Sequence, residues 1–236
     1  MSKKYFRVEI IDINTDIIYD SFDTRYELNL DFTPYNHFLN TYLSVMKENN
    51  ISVDFLIAVN NNVFLLGDEY LEILRNAIVD ENYIDLQKVT GDQNHKNQKI
   101  KTKYVNSFLQ SFDHINNFIY FDSGTYLWET TLEIVRLNLC KNKPSRLESK
   151  FFFTDIESCN YFNREYLDGF GKIYEIEIVD EIESFKGDMN FIDRIPNHIL
   201  FEDLINEFAD YWRGNHTDKP IQEVIFKGKY KYKNIT

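Results

Sequence analysis

The stretch PIQEVIFKGKYKYKNIT, residues 220–236, is where the reading of the fold turns. Its pattern predicts two strands, 221–226 and 229–235, joined by a short Lys227-Gly228 turn. The first carries apolar residues on both faces, the mark of a strand covered on both sides. Glu223 nevertheless stands in its middle. Burying a carboxylate alone is costly, so such a Glu has a fixed partner, lines a cleft or lies at an exposed edge. The second strand, K-Y-K-Y-K, reads as an edge guarded by charge.

Working outward, the opening YFRVEII alternates Tyr5, Arg7 and Glu9 against Phe6, Val8 and Ile10, which predicts a strand with one polar and one apolar face. KFFFTD reads as a short strand, IESCNYFNREY as a helix and KIYEIEIV as an alternating strand. HILFEDLINEFADYWRG reads as a helix stopped by Gly214, and TYLWETTLEIVRLNLC as a helix with an apolar stripe. Further upstream the sequence predicts a helix over 37–50 behind Thr33-Pro34, a hairpin over 53–66, a helix near 69–79 and a surface loop over 91–103. Strands and single helices without regular βαβ alternation predict an α+β architecture with a mixed or mostly antiparallel sheet.

The 236 residues are 43% hydrophobic and 16% aromatic, enough for a sizeable core. No apolar run approaches a membrane span and the first residues lack a signal-peptide core, so the expected compartment is the cytoplasm. Cys140 and Cys159 have no CxxC spacing and the five histidines form no HxH or HxxxH pair, so free thiols and no metal are expected. A formal charge of −12 opposes general binding to a phosphate backbone. GxGxxG, GxxxxGK[ST] and GxSxG are all absent, which removes the dinucleotide-fold, P-loop and commonest serine hydrolase readings.

The ordered set PSRLESKFFFTDIESCNYF, KIYEIEIV, ADYWRG and IQEVIFKGKYKYKNI resembles the catalytic half of the ADP-ribosyltransferase superfamily. It is also similar to a bacterial family of unknown function with a PSR turn, a YW helix end and a Glu-bearing terminal strand. The resemblance implies one domain over 1–236 built on a split sheet with flanking helices. Residues 126–236 would form the catalytic-half core, and 14–125 a helical insertion or accessory region. It implies NAD as substrate, no metal and transfer of ADP-ribose to a macromolecular acceptor, protein or nucleic acid, in a toxin, effector or phage-defence setting. Hydrolysis of NAD is a variant, and a regulatory partner protein is an expected companion.

The same resemblance assigns catalysis to Glu223, as stabiliser of the oxocarbenium-like charge that develops when nicotinamide leaves. It assigns NAD binding to Arg7, Arg146, Phe152, Thr154 and Tyr161. Ile221, rather than an acid or amide, stands two residues before Glu223, which leaves the acceptor open. Each residue also has a plainer reading: Arg7 as a solvated ion pair, the aromatics as core, and Arg146 as a cap on the carbonyl end of the preceding helix. The alternative function is a catalytically inactive binding protein of this fold whose acidic surface engages a basic partner. An enzyme needs Glu223 in a cleft with Arg7 and an aromatic ring within reach; a binding protein does not.

Overall fold

The computed structural model describes residues 4–21, 68–77, 82–91, 93, 96, 99–101, 123–196 and 199–235. The predicted helix over 37–50, the hairpin over 53–66 and the aromatic-rich 105–121 lie outside them. The chain divides into two compact units. One comprises Met1–Glu27, Glu129–Ile195 and Asn206–Thr236; the other comprises Leu28–Trp128 and Pro196–Ile205.

In the first unit, strands β1 (Tyr5–Glu9), β2 (Tyr19–Asp20), β5 (Lys150–Phe153), β6 (Lys172–Asp188) and β7 (Gln222–Asn234) form one antiparallel sheet in the order β2-β7-β5-β1-β6. β6 also pairs with β7 along nearly its whole length, from Tyr174 opposite Asn234 to Asp188 opposite Gln222. The four strands β7, β5, β1 and β6 therefore close into a small barrel-like ring. Helices α4 (Ile156–Tyr166) and α5 (Asn190–Asp193), with α3 (Ser123–Leu139) from Glu129 on and α6 (Phe201–Arg213) from Asn206 on, complete an α+β architecture, as the strand-and-helix pattern predicts. In the second unit, β3 (Tyr83–Asp85) pairs with β4 (Lys99–Lys101) and adjoins α1 (Asp68–Asn76) and α2 (Leu86–Thr90). Three residues of the predicted surface loop are thus a strand.

Closure gives both sides of the ring a buried face. Tyr5, Phe152, Tyr174, Ile176, Val224, Phe226, Tyr230 and Tyr232 pack together on the inner side, and a small barrel of this kind fills its interior with side chains. Phe6, Val8, Phe153, Cys159, Met189 and Ile221 pack on the outer side beneath α4. Asp155 caps α4 by accepting the Ser158 N–H at 2.7 Å. Both cysteines are free, and burial pushes the Cys159 thiol up to about 12.

Three expectations are corrected here. The terminal residues are not a hairpin, because Lys227 and Gly228 lie inside the single 13-residue strand β7. Gly228 takes φ 140, and a Cβ there would stand 2.0 Å from the Asp180 carbonyl oxygen, so the strand bends through this point against β6 instead of turning back. K-Y-K-Y-K is not a guarded edge either: Tyr230 and Tyr232 turn into the core while Lys229 and Lys233 face out. β1 likewise has no solvent face. Tyr5, Arg7 and Glu9 share the inner side, since Tyr5 pairs with Ile176 and Arg7 with Tyr174.

Gly228→Ala combines an unfavourable φ with a backbone collision. The expected loss is about 3 kcal/mol of folding stability, read as a lower midpoint in urea unfolding.

Candidate functional site

The PSR turn places an arginine under the sheet. Ser145 caps a 3-10 turn over Arg146–Glu148, accepting the Leu147 N–H, and the Ser149 hydroxyl donates to the Ser145 carbonyl at 2.5 Å. Arg146 thereby enters the outer side of the ring with 8% of its surface exposed. Its Nε and Nη2 donate to the two oxygens of Glu129 on α3 at 2.8 and 2.9 Å, a bidentate pair. Its Nη1 donates to the Tyr211 hydroxyl at 2.8 Å and to Glu223 Oε1. Tyr211, on α6, donates its own proton to Glu223 Oε1 at 2.7 Å. The guanidinium lies 4.6 Å from the centre of the Phe151 ring.

This answers why a Glu stands in a doubly covered strand. Glu223 is 3% exposed and has a fixed partner. Burial alone would make Arg146 easier to deprotonate, but Glu129 and Glu223 outweigh it and hold the guanidinium charged well above its ordinary range. The Tyr211 hydroxyl is pushed far up, first by burial and then by Glu223. Gly187 sits opposite Glu223 on β6, and a Cβ there would come within 2.2 Å of the Tyr211 ring. Only glycine leaves room for that ring.

Two carboxylates against one guanidinium leave the cluster with an excess negative charge, and Asp193 on α5 registers it. Burial first, and the charge of Glu223 further, raise the Asp193 carboxyl to about 6 against the pull of Tyr166, Arg146 and Arg194. Its buried Oδ2 has no hydrogen-bond partner. Asp188 sits in the opposite condition. Burial would raise it, but the backbone N–H groups of Asn190, Thr217 and Ile221 and the Thr217 hydroxyl all donate to it and hold it below its ordinary value. The sequence shows Asp188 only as a turn residue; its role is to fix the start of β7 just before Glu223.

Of the residues singled out in the sequence, the structure brings Arg146 and Glu223 together. Phe152 is wholly buried on the inner side. Thr154 follows β5, its hydroxyl meeting Asp155 and Gln222 at 3.1 and 3.4 Å. Tyr161 is half-buried on α4 with Arg164 5.8 Å from its ring centre. Arg7 is apart from Glu223. Phe6, not Arg7, is in register with Phe153, which is in register with Glu223, so Arg7 points to the opposite side of the sheet. There it donates to Glu9 at 2.5 Å and to the Phe151 carbonyl at 2.6 Å. The arginine that binds carbonyls just beyond α3 is Arg136, which reaches those of Lys141 and Lys143 while pairing with Glu133, the ion pair its i,i+3 spacing predicts.

The profile of a family described as "Protein of unknown function (DUF2441)" matches residues 40–236. Glu129, Arg146, Asp193, Tyr211 and Glu223 lie inside that span, whereas β1 with Arg7 lies before it. No curated protein matches the chain. Among the described residues no group of His, Cys, Asp and Glu could hold a metal ion, and no helix is long and apolar enough to cross a membrane.

Arg146→Met strands two buried carboxylates and is expected to cost about 3–5 kcal/mol; adding Glu129→Gln and Glu223→Gln to it should restore much of the loss in chemical unfolding. The folded state keeps a proton on Asp193 that the unfolded chain releases above its ordinary value of 3.8. Its stabilising contribution is therefore complete below 3.8 and lost as pH rises to about 6. Relative to Asp193→Asn, the wild-type chain should lose on the order of 2 kcal/mol across that window.

Proposed function

We propose, for a chain that belongs to this family of unknown function, that it is an interaction protein: an ADP-ribosyltransferase-like scaffold that engages a basic partner through an acidic surface. The state of Glu223 carries this reading. Its carboxylate is enclosed, hydrogen-bonded to Arg146 and Tyr211, and on the opposite side of the sheet from Arg7. A group meant to meet a ribose hydroxyl as charge develops needs an open approach and the NAD-binding residues beside it. A group meant to hold a fold needs what Glu223 has.

The surface supports the second half of the proposal. Residues 179–184 of β6 are exposed throughout, with Val179 at 45% and Ile182 at 60% among Asp180, Glu181 and Glu183. Those three carboxylates form no ion pair within the described residues, and the whole chain carries −12. Apolar side chains interleaved with unpaired acids suit a partner that alternates lysine or arginine with apolar residues.

Transfer of ADP-ribose from NAD is a second reading, favoured by one observation. Arg146 of the PSR turn, Tyr211 of the YW helix end and Glu223 come from three separate motifs and meet at one carboxylate, while the motif-bearing strands β7, β5 and β1 lie side by side. On this reading a ribose hydroxyl displaces Arg146 or Tyr211 from Glu223 Oε1.

Nicotinamide release and transfer of labelled ADP-ribose into a cell lysate, compared for the wild-type chain and Glu223→Gln, separate the two. The expected result is no turnover by either chain, with the variant melting several degrees lower. Turnover by the wild-type chain that vanishes in a variant of unchanged melting temperature would make Glu223 catalytic. Binding to a lysine-rich peptide with apolar residues interleaved should weaken steeply between 50 and 300 mM salt, on the order of tenfold, and be lost in Glu181→Lys/Glu183→Lys.

A further inference from the structure

Beside Arg7 and Glu9 the ring borders a cleft of about 520 Å³, lined by residues of both its inner and outer sides and within the roughly 300–1,000 Å³ usual for small-molecule sites. Its wall is apolar, formed by Ile10, Ile11 and Ile13 and, from the outer-side cluster, Phe162 and Leu167; the half-buried Tyr19 and the buried Tyr230 and Tyr232 also line it. Tyr19 stands edge-on to Tyr232 at 5.1 Å and stacked with Tyr230 at 5.8 Å.

The polar groups are few and in register. Every hydrogen bond that Glu9 accepts among the described residues falls on Oε1, from Arg7 at 2.5 Å and from Tyr232 at 2.6 Å, and Lys150 stands 3.6 Å from the same oxygen. Arg7 donates from Nε and Nη1. Glu9 Oε2 and Arg7 Nη2 are therefore left, an acceptor and a donor carried two residues apart on one strand. Burial would raise the Glu9 carboxyl, but Arg7 and Tyr232 outweigh it and hold it below the ordinary carboxylate range, so it remains an acceptor. The cationic Arg7 and Lys150 are matched by Glu9 and Asp20 along the lining.

We propose that this cleft binds a neutral planar ring bearing an amide edge, a carboxamide or a lactam, with its N–H given to Glu9 Oε2 and its carbonyl accepting from Arg7 Nη2. The charge balance favours a neutral ligand, since an anion would face Glu9 and a cation Arg7. Tyr19 and the isoleucines take the faces of the ring, where stacking and burial supply the rest of the affinity. Arg7 and Glu9 point to the other side of the sheet from Glu223, so the site is independent of whether that residue turns over NAD.

Titration of the full chain with benzamide, uridine and benzoate, followed by tyrosine fluorescence or amide chemical shifts, tests the assignment. Benzamide and uridine should bind at least tenfold more tightly than benzoate. Ile11→Trp, at a lining position 45% exposed and so neutral for folding, should fill the cleft and weaken both amide ligands at least tenfold. Equal or tighter binding of benzoate, binding that survives Ile11→Trp, or no binding of either amide at on the order of 10 mM would overturn the proposal.

Discussion

A single buried guanidinium holds the outer side of this molecule together. Arg146 leaves water at a desolvation cost of several kcal/mol, and only near-ideal partners offset such a cost. It has them: both oxygens of Glu129, one oxygen of Glu223, the Tyr211 hydroxyl and the face of Phe151. These partners come from α3, β5, α6 and β7, so one side chain ties two helices and two strands to one geometry. Any packing that moved α6 along the sheet would take the Tyr211 hydroxyl from Arg146 and Glu223, and one that moved α3 would leave a charge unpaired. The network therefore acts against alternative packings more than it adds to net stability, a use of buried polar groups best known from fixing register in helical assemblies.

The sequence displays this centre only in part. Glu223 is conspicuous because it interrupts an apolar strand, and Arg146 because it follows a Pro-Ser turn. Glu129 is not conspicuous at all: in TYLWETTLEIV it looks like any acid on the wet side of a helix, and nothing local says that an arginine 17 residues later will reach it. The helices are legible because caps and apolar spacing are local signals; α4 runs Ile156–Tyr166 and α6 ends at Arg213 before Gly214, as their patterns say. The long strands are less so. A Lys-Gly pair flanked by alternating residues is an ordinary turn signal, and only the approach of Asp180 to Gly228 across β6 shows that the chain continues through it as one bent strand. Likewise the alternation of β1 gives its two faces correctly but not which is wet, because closure of the ring is a property of four strands at once.

Closure also decides what the polar residues can do together. In an open sheet the two sides communicate around the edges; in a ring filled by Phe152, Val224, Phe226 and Tyr230 they do not. The ring thus carries an Arg–Glu centre on each side, Arg146 with Glu129 and Glu223 outside and Arg7 with Glu9 inside, separated by one layer of backbone. They differ in kind. The outer one has every guanidinium nitrogen of Arg146 engaged and is over-supplied with negative charge, enough to help lift Asp193 to about 6. The inner one is charge-balanced and borders open volume. A site that must admit a ligand needs unspent donors and acceptors beside space, and a site that must hold a fold needs the reverse. By that physical criterion the residue most conspicuous in the sequence belongs to the framework, and the arginine on the first strand, which reads as an ordinary surface ion pair, lies where small-molecule chemistry has room.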